Sequence, residues 1–471
     1  MEDVSLDELV NVQRASVLPG AAAHAAALEA RQAERQVTVP TSDRRVKELL
    51  RSFGAPITYF GEAPADRRAR LRDLIVARGQ PVAPLAEEES DESDEEFYTE
   101  GSAALLSARR RIAESSLRSA KRRAALQRAE AAVPLATAAS VRRSVLDPLK
   151  EYTSLGSQLA GERPISAVRF SPDGSMLATG SWSGKAALWS MPNATQLGTL
   201  HGHEDRVTGL AWHPQATISQ SRGGVNLATG GGEGSLCLWS LESERPVRQL
   251  TGHEARVARV AFHPLGDYLA SASFDGTWRL WDVEAGRELL TQEGHSKEVY
   301  AVDFQGDGAL VASGGLDAIG RVWDCRTGRT AMVLDGHARE ILSVAFAPNG
   351  YQLATASGDD TVRIWDLRRL RSIYTIPAHR SSVSDVRYYQ GSSTVDGLST
   401  CGLFFATSGY DGLVKVWSAG DWQLVRTLAG DAGKVMSVDI ARDGTIASGE
   451  WARTFKVRIC KRCADQLWGP L

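Results

Sequence analysis

The sequence predicts an all-β fold, a seven-bladed β-propeller, with a mainly helical or disordered extension in front of it. Three observations predict it. Tryptophans 189, 239, 281, 323, 365 and 417 recur 50, 42, 42, 42 and 52 residues apart, and a further step of 42 reaches Ile459. Each closes a short strand-like run such as KAALW, TWRLW or TVRIW. Upstream, Gly-His recurs at His203, His253, His295 and His337, with Ala378-His379 as a variant. A period of about 40 residues built from short strands is the signature of propeller blades.

The offsets inside each unit explain the repeat. Six residues before the tryptophan stands Asp275, Asp317, Asp359 or Asp411, and ten residues before it always stands a hydroxyl. A blade is buried on both faces, so a buried indole N–H, imidazole, carboxylate and hydroxyl must satisfy one another. The complete sets are His253, Ser271, Asp275 and Trp281; His295, Ser313, Asp317 and Trp323; and His337, Thr355, Asp359 and Trp365. They read as structural tetrads rather than metal or acid–base sites, because metal ligands must converge on one point instead of recurring around a ring. Asp-Gly at 275–276 and 411–412 marks a tight turn between strands. Together these markers resemble WD-repeat propellers over residues 151–471. Unit two carries Glu233 for the aspartate, and unit one carries Ser183 and no histidine near Gly161. Unit seven carries Asp431, Gly449, Arg453 and Ile459 at the four marker positions, so blades one and seven are expected to rely on apolar packing and ring closure. Ring closure requires a strand from Leu155–Gly161 to complete the blade built by 435–460. The longer units carry Gly/Ser-rich insertions at 214–225 and 390–403. The tail 461–471 reads as a cap.

Composition excludes several classes. Over 471 residues the net charge is -3 and the pI about 6.3, which argues against bulk attraction to nucleic acid or anionic lipid. No run is long and apolar enough for a membrane span, and MEDVSLDELV lacks the features of a secretion signal. Five scattered cysteines point to a reducing compartment rather than a disulfide framework. No Walker loop or nucleophile elbow occurs, and Cys460-Lys461-Arg462-Cys463 reads as an incidental CxxC. No cofactor and no catalytic residue is expected.

The first third differs in kind. Residues 1–39 are an Ala-rich tail that could hold one helix. Residues 40–79 form an island: Val46, Leu49, Leu50 and Phe53 at helical spacing, capped by Thr41 or Ser42 and ended by Gly54 and Pro56. Ile57, Tyr59 and Phe60 follow on a loop, and a second helix opens at Pro64 with Leu71, Leu74 and Ile75 on its apolar side. Forty residues are too few for an independent core, so these faces are expected to seek a partner, the propeller or each other. Residues 80–150 are a linker, acidic (AEEESDESDEE) and then basic, with Arg109, Arg110, Arg111, Lys121, Arg122 and Arg123. Leu105, Ile112, Leu117 and Leu126 place a helix there, either formed when a partner or an RNA backbone neutralises it or lying on a surface. Ser93, followed by Glu96, suits an acid-directed kinase.

LLRSFGAPITYFGE followed by DRRARLRDLI resembles the splicing factor motif. That motif ahead of seven WD repeats, with runs such as GERPISAVRFSP, QEGHSKEVY and LAGDAGKVMS, is similar to the pre-mRNA-processing factor 4 family, the WD-repeat subunit of the U4/U6 small nuclear ribonucleoprotein. The resemblance implies a nuclear, non-catalytic scaffold. Its implied partners are a pre-mRNA-processing factor 3-like protein, a spliceosomal cyclophilin and U4/U6 snRNA, within the U4/U6 and U4/U6·U5 particles. By position it implies cyclophilin docking at Leu49, Leu50, Phe53, Ile57, Tyr59, Phe60, Leu71, Leu74 and Ile75.

Two further surfaces are candidates. Trp182, Phe274, Leu316, Tyr410 and Trp451 fall in turns on one rim, with Arg206, Arg256, Arg259 and Lys434 nearby in sequence. They read either as a protein-binding ring or as rings buried between blades. The six basic residues of 109–123 are candidate RNA contacts. Trp323-Asp324-Cys325-Arg326 and Trp365-Asp366-Leu367-Arg368 match the W-D-x-R signature of cullin-type ubiquitin ligase substrate receptors, the alternative function.

Overall fold

The computed structural model describes residues 39, 43–59, 62, 64–78, 101–391, 394–429 and 433–460. The expectations for residues 1–38, the cap at 41–42, Phe60, Ser93, the acidic run, Asp431 and the tail after 460 lie outside them. The chain divides into two units, Met1–Asp91 and Glu92–Leu471.

In the first unit, helix α1 (Asp43–Ser52) and helix α2 (Pro64–Arg78) pack on each other. Gly54, at φ +66°, ends α1: its N–H bonds Arg51 O, and Ala55 N–H bonds Leu50 O at 3.0 Å. Such a left-handed C-cap satisfies the last carbonyls, and glycine adopts it without a Cβ penalty. Val39, Val46, Leu50, Leu71 and Ile75 are buried together, with Leu49, Phe53 and Leu74 half-buried at the margin. The two apolar faces therefore pack against each other, one of the three expected outcomes. Burying Leu50 and Leu71 contributes roughly 1.5–3 kcal/mol each.

The second unit is a seven-bladed propeller. Blades 1 to 6 each contain four consecutive strands, save that blade 6 carries a small hairpin, Thr394–Val395 with Leu398–Ser399, inserted before its second strand. Blade 7 combines Val435–Ile440, Ile446–Glu450 and Thr454–Cys460 with Tyr152–Leu159, which runs antiparallel to the last of these from Tyr152↔Cys460 to Leu159↔Thr454. The closing strand thus begins three residues before the sequence placed it. Tyr152 Oη donates to Gly444 O at 2.6 Å and pins its start.

Polar side chains fill the central channel. Arg169 donates to Asp385 (3.0 and 3.1 Å), to Ser437 Oγ and to Val438 O. Arg259 and Arg387 also approach Asp385, and Asp303 and Asp439 accept backbone N–H groups of Phe346 and Phe170. Burial would raise the Asp385 carboxyl, but the three guanidiniums overcome it and hold the group ionised, below its usual range. Three arginines and three aspartates from blades 1, 3, 4, 6 and 7 meet here and cross-tie the ring, although burial pushes the Asp303 and Asp439 carboxyls up despite the nearby guanidiniums.

Helix α3 (Ala103–Ala131) and helix α4 (Leu135–Leu146) lie across one face. Ser102 caps α3 by accepting Leu105 N–H. Leu105, Ala108 and Ile112 pack with Tyr268, Trp278, Leu289 and Trp323 of blades 3 and 4. Arg111 pairs with Asp267 (2.8 Å), Arg123 with Asp307 (2.6 Å) and with Asn349 O, Glu130 with Ser399 N–H, and Arg142 of α4 with Asp421 (2.7 Å). These partners sit in the turns joining first to second and third to fourth strands, so the belt runs beneath blades 3 to 6. Leu117 and Leu126, expected on its apolar side, are 62% exposed instead. The helix buries a stripe only near its start; farther along, ion pairs hold it.

Candidate functional site

The repeated histidines lie in hydrogen-bonded sets within their blades. His253 Nδ1 meets Asp275 (2.7 Å), its Nε2 meets Ser271 Oγ (2.7 Å), and Trp281 Nε1 donates to the same hydroxyl (2.8 Å). The same arrangement joins His295, Asp317, Ser313 and Trp323; His337, Asp359, Thr355 and Trp365; and His379, Asp411, Thr407 and Trp417. In blade 2, Glu233 reaches His203, which meets Thr229 (2.6 Å). Burial pushes the Asp275 and Glu233 carboxyls up, but hydrogen bonds from histidine and neighbouring hydroxyls outweigh it; Glu233 falls to about 2. Each imidazole is thus engaged on both nitrogens inside its own blade, and no two blades share one.

Of the two weak blades, the first packs as expected and the seventh departs. Blade 1 keeps the indole bond, Trp189 Nε1 to Thr179 Oγ1 at 3.0 Å, and packs Trp189 on Phe455 of blade 7. Blade 7 is not purely apolar: Arg458 donates to Ser448 Oγ (2.6 Å) and Ala429 O, and Lys456 pairs with the buried Glu450 (3.4 Å). A buried cation replaces the indole as donor to the hydroxyl. Ser448 stands one residue before the position read from the repeat, so fixed-offset counting overlooked it.

The rim residues come together at the channel mouth. One backbone bond recurs in all seven blades: the first residue of the turn between second and third strands donates to the residue leading into the first strand, at 2.8–3.0 Å. The pairs are Trp182–Pro164, Gly232–Arg206, Phe274–Arg256, Leu316–Glu298, Gly358–Glu340, Tyr410–Ser382 and Trp451–Lys434. Their side chains divide the rim. In these pairs blades 4 and 5 contribute Leu or Gly beside glutamates, and blades 6, 7, 1, 2 and 3 contribute most of the aromatics and cations; Tyr300 of blade 4 joins them at the mouth, 6.0 Å from Phe274, and Asp205 of blade 2 pairs with Arg206 at 3.8 Å. Trp182 meets Trp451 edge to face at 4.9 Å. Arg256 stacks on Phe274 at 3.6 Å, Arg206 lies 5.2 Å from Trp182, and Lys434 lies over both Tyr410 (5.3 Å) and Trp451 (5.8 Å). Burial, and then Arg206 nearby, lowers Arg256 from its usual range. Arg259 differs from its neighbours: it is buried, facing Asp385 below and Tyr300 above.

The hairpin of the first unit has its own geometry. Glu62 takes Arg70 through two bonds (2.7 and 2.9 Å) and accepts Tyr59 N–H (2.9 Å). Arg70 also donates to Pro56 O and Ile57 O, and Tyr59 lies 4.5 Å from its guanidinium. The hydrogen bond from Arg70 holds the Glu62 carboxyl below its usual range. The linker is thereby rigid and Tyr59 stays 54% exposed. Sequence reading missed Glu62 and Arg70, which stand eight residues apart with no periodicity to flag them. Of the expected docking residues, Leu50, Leu71 and Ile75 are spent on the hairpin's own core, whereas Leu49, Phe53, Ile57, Tyr59 and Leu74 keep surface.

Two other expectations narrow. Arg111 and Arg123 are bound to propeller acids and Arg109 lies against Gly328, leaving Arg110, Lys121 and Arg122 exposed on α3. Arg326 folds back onto Asp324 (2.7 and 2.9 Å) and Arg368 onto Asp366 (3.0 and 3.2 Å), so both W-D-x-R arginines brace their own turns.

Comparison with known proteins agrees with this anatomy. Residues 46–74 match the model described as pre-mRNA processing factor 4 (PRP4) like, which is the α1–α2 hairpin. The WD domain, G-beta repeat model matches 153–190, 194–240, 244–282, 286–324, 328–366 and 370–418, together more than half of the chain. Residues 435–460, the other three strands of blade 7, lie outside these matches, while its closing strand falls in the first. The chain is 43% identical over 225 residues to the human U4/U6 small nuclear ribonucleoprotein Prp4, covering 46% of this chain and 42% of that protein. It is 45% identical over 220 residues to an uncharacterized WD repeat-containing protein of Schizosaccharomyces pombe, covering 45% and 48%. To U4/U6 small nuclear ribonucleoprotein PRP4 of Saccharomyces cerevisiae it is 35% identical over 189 residues, covering 38% and 40%. The match spans less than half the length of each of these relatives. With six matched repeats and seven closed sheets, the chain belongs to the WD-repeat family and carries the PRP4-like segment ahead of its propeller.

Proposed function

We propose that the chain is a non-catalytic scaffold subunit of the U4/U6 and U4/U6·U5 small nuclear ribonucleoproteins, acting in pre-mRNA splicing in the nucleus. It joins a pre-mRNA-processing factor 3-like protein and a spliceosomal cyclophilin on U4/U6 snRNA. One observation carries the reading: the PRP4-like hairpin and a seven-bladed propeller occur in one chain. Two supports follow from chemistry. The recurring histidines and aspartates are engaged with one another in blade tetrads. The hairpin, by contrast, presents Tyr59 on a linker clamped by Glu62 and Arg70, beside the half-buried Leu49, Phe53, Ile57 and Leu74. A rigid aromatic flanked by aliphatic side chains is the composition of an interface hot spot, here fitted to the cyclophilin. On α3, the exposed Arg110, Lys121 and Arg122 are the residues left for RNA phosphate. The test is calorimetry of the full chain with a spliceosomal cyclophilin. Tyr59→Ala should weaken binding at least tenfold with the propeller still folded; wild-type affinity in that variant would reject the docking site.

A further inference from the structure

The split rim supports more than a generic surface. Trp451, 43% exposed, stands between two cavities: one of about 280 Å³ over the channel, which it lines with Trp182 and Phe274, and one of about 650 Å³ outward, which it lines with Arg163 and Arg453. Together they make a groove running from the channel mouth to the edge between blades 7 and 1. Arg259, 4.0 Å from Asp385, lines the inner cavity at its base and adds a cation there.

We propose that this groove binds single-stranded RNA, with bases stacked at the Trp182–Trp451 pair and backbone phosphates on Arg206, Arg256 and Lys434. The choice of RNA over DNA rests on the ribonucleoprotein reading above; the single-stranded, anionic, stacking character rests on the groove. Aromatic platforms interleaved with cations are what unpaired bases and their phosphates require. A guanidinium stacked on a ring, as Arg256 is on Phe274, adds a further planar surface. A duplex hides its base faces in its own stack and cannot use recessed indoles. An acidic peptide would use the cations and leave the indoles idle. Acids border this site as well: Asp205 lies 3.8 Å from Arg206, Glu298 acts on Arg256 and Glu162 lines the outer cavity, so the cations, not a wholly basic wall, must draw the strand.

The experiment is fluorescence anisotropy of the full chain with a labelled ten-nucleotide oligouridine, a duplex RNA of equal length and a ten-residue polyglutamate peptide. The single strand should bind at least tenfold tighter than the duplex. Trp451→Ala should weaken it at least fivefold with an unchanged thermal midpoint, and Lys434→Ala should reduce the slope of log affinity against log salt by about 0.7. Because Trp451 could matter to folding, Arg206→Ala provides a second variant with the same expected weakening. Absence of single-strand binding, equal affinity in both variants, or tighter binding of polyglutamate or duplex would overturn the proposal. Co-purification of U4 and U6 RNA from nuclear extract is a separate readout: if it persists while oligouridine fails to bind, the groove assignment falls and the scaffold reading stands.

Discussion

A buried imidazole with two partners is a strong fastener and a poor catalyst. His337 is fully buried between Asp359 and Thr355, so His337→Ala should leave a cavity, a carboxylate and a hydroxyl poorly satisfied. The expected loss is about 2–4 kcal/mol, read as a lower urea midpoint at unchanged slope. Two other histidines, His213 and His263, bear on acid behaviour, since burial lowers both. His263 accepts Leu265 N–H and bonds Gly308 O in the next blade, and burial pulls it from 6.5 to about 4. As pH falls below 6.5 the unfolded chain gains a proton that the folded chain refuses until about 4. Stability that is complete above 6.5 should therefore drop by about 3 kcal/mol between 6.5 and 4. Urea melts at pH 7, 5 and 4 check it, and His263→Gln should flatten that dependence. The tetrads were legible in the sequence because the blade repeats them at fixed spacing. The Glu62–Arg70 clamp was not, since a contact made once leaves no period to read; His263 does repeat His213, but two blades alone carry that pair, too few to stand out as a period.

Each turn between second and third strands places one residue in the left-handed region, whatever its identity. Gly276 and Gly412 do so at φ +84° and +81°, but Ala318 and Arg453 do so at +65° and +70°. A Cβ there costs about 1 kcal/mol, so Ala318→Gly should stabilise the propeller by about that amount and raise its thermal midpoint. The strand runs and these turns could be read directly. The helical belt was half legible: spacing found α3, but Leu117 and Leu126 misled because a helix held partly by ion pairs need not bury every leucine on a stripe. Arg123→Ala should remove the Asp307 and Asn349 contacts and speed hydrogen exchange across the second half of α3, with exchange in the blade strands unchanged.

For the whole ring, closure depends on a strand drawn from 280 residues or more away in sequence. The need for it was legible, since an open propeller leaves an unpaired edge. The arginine–aspartate plug was not, because its members come from five different blades. Deleting residues 1–161 should remove the closing strand, so that one cooperative thermal transition becomes broad or multiphasic in calorimetry. In the proposed function, a closed, cross-tied propeller would supply the surface and the hairpin the docking aromatic. The direct measurement is affinity purification of the tagged full chain from nuclear extract, with sequencing of RNA and mass spectrometry of protein. The account predicts U4 and U6 snRNA together with a cyclophilin and a pre-mRNA-processing factor 3-like protein. A cullin adaptor in their place, with neither snRNA enriched, would contradict it.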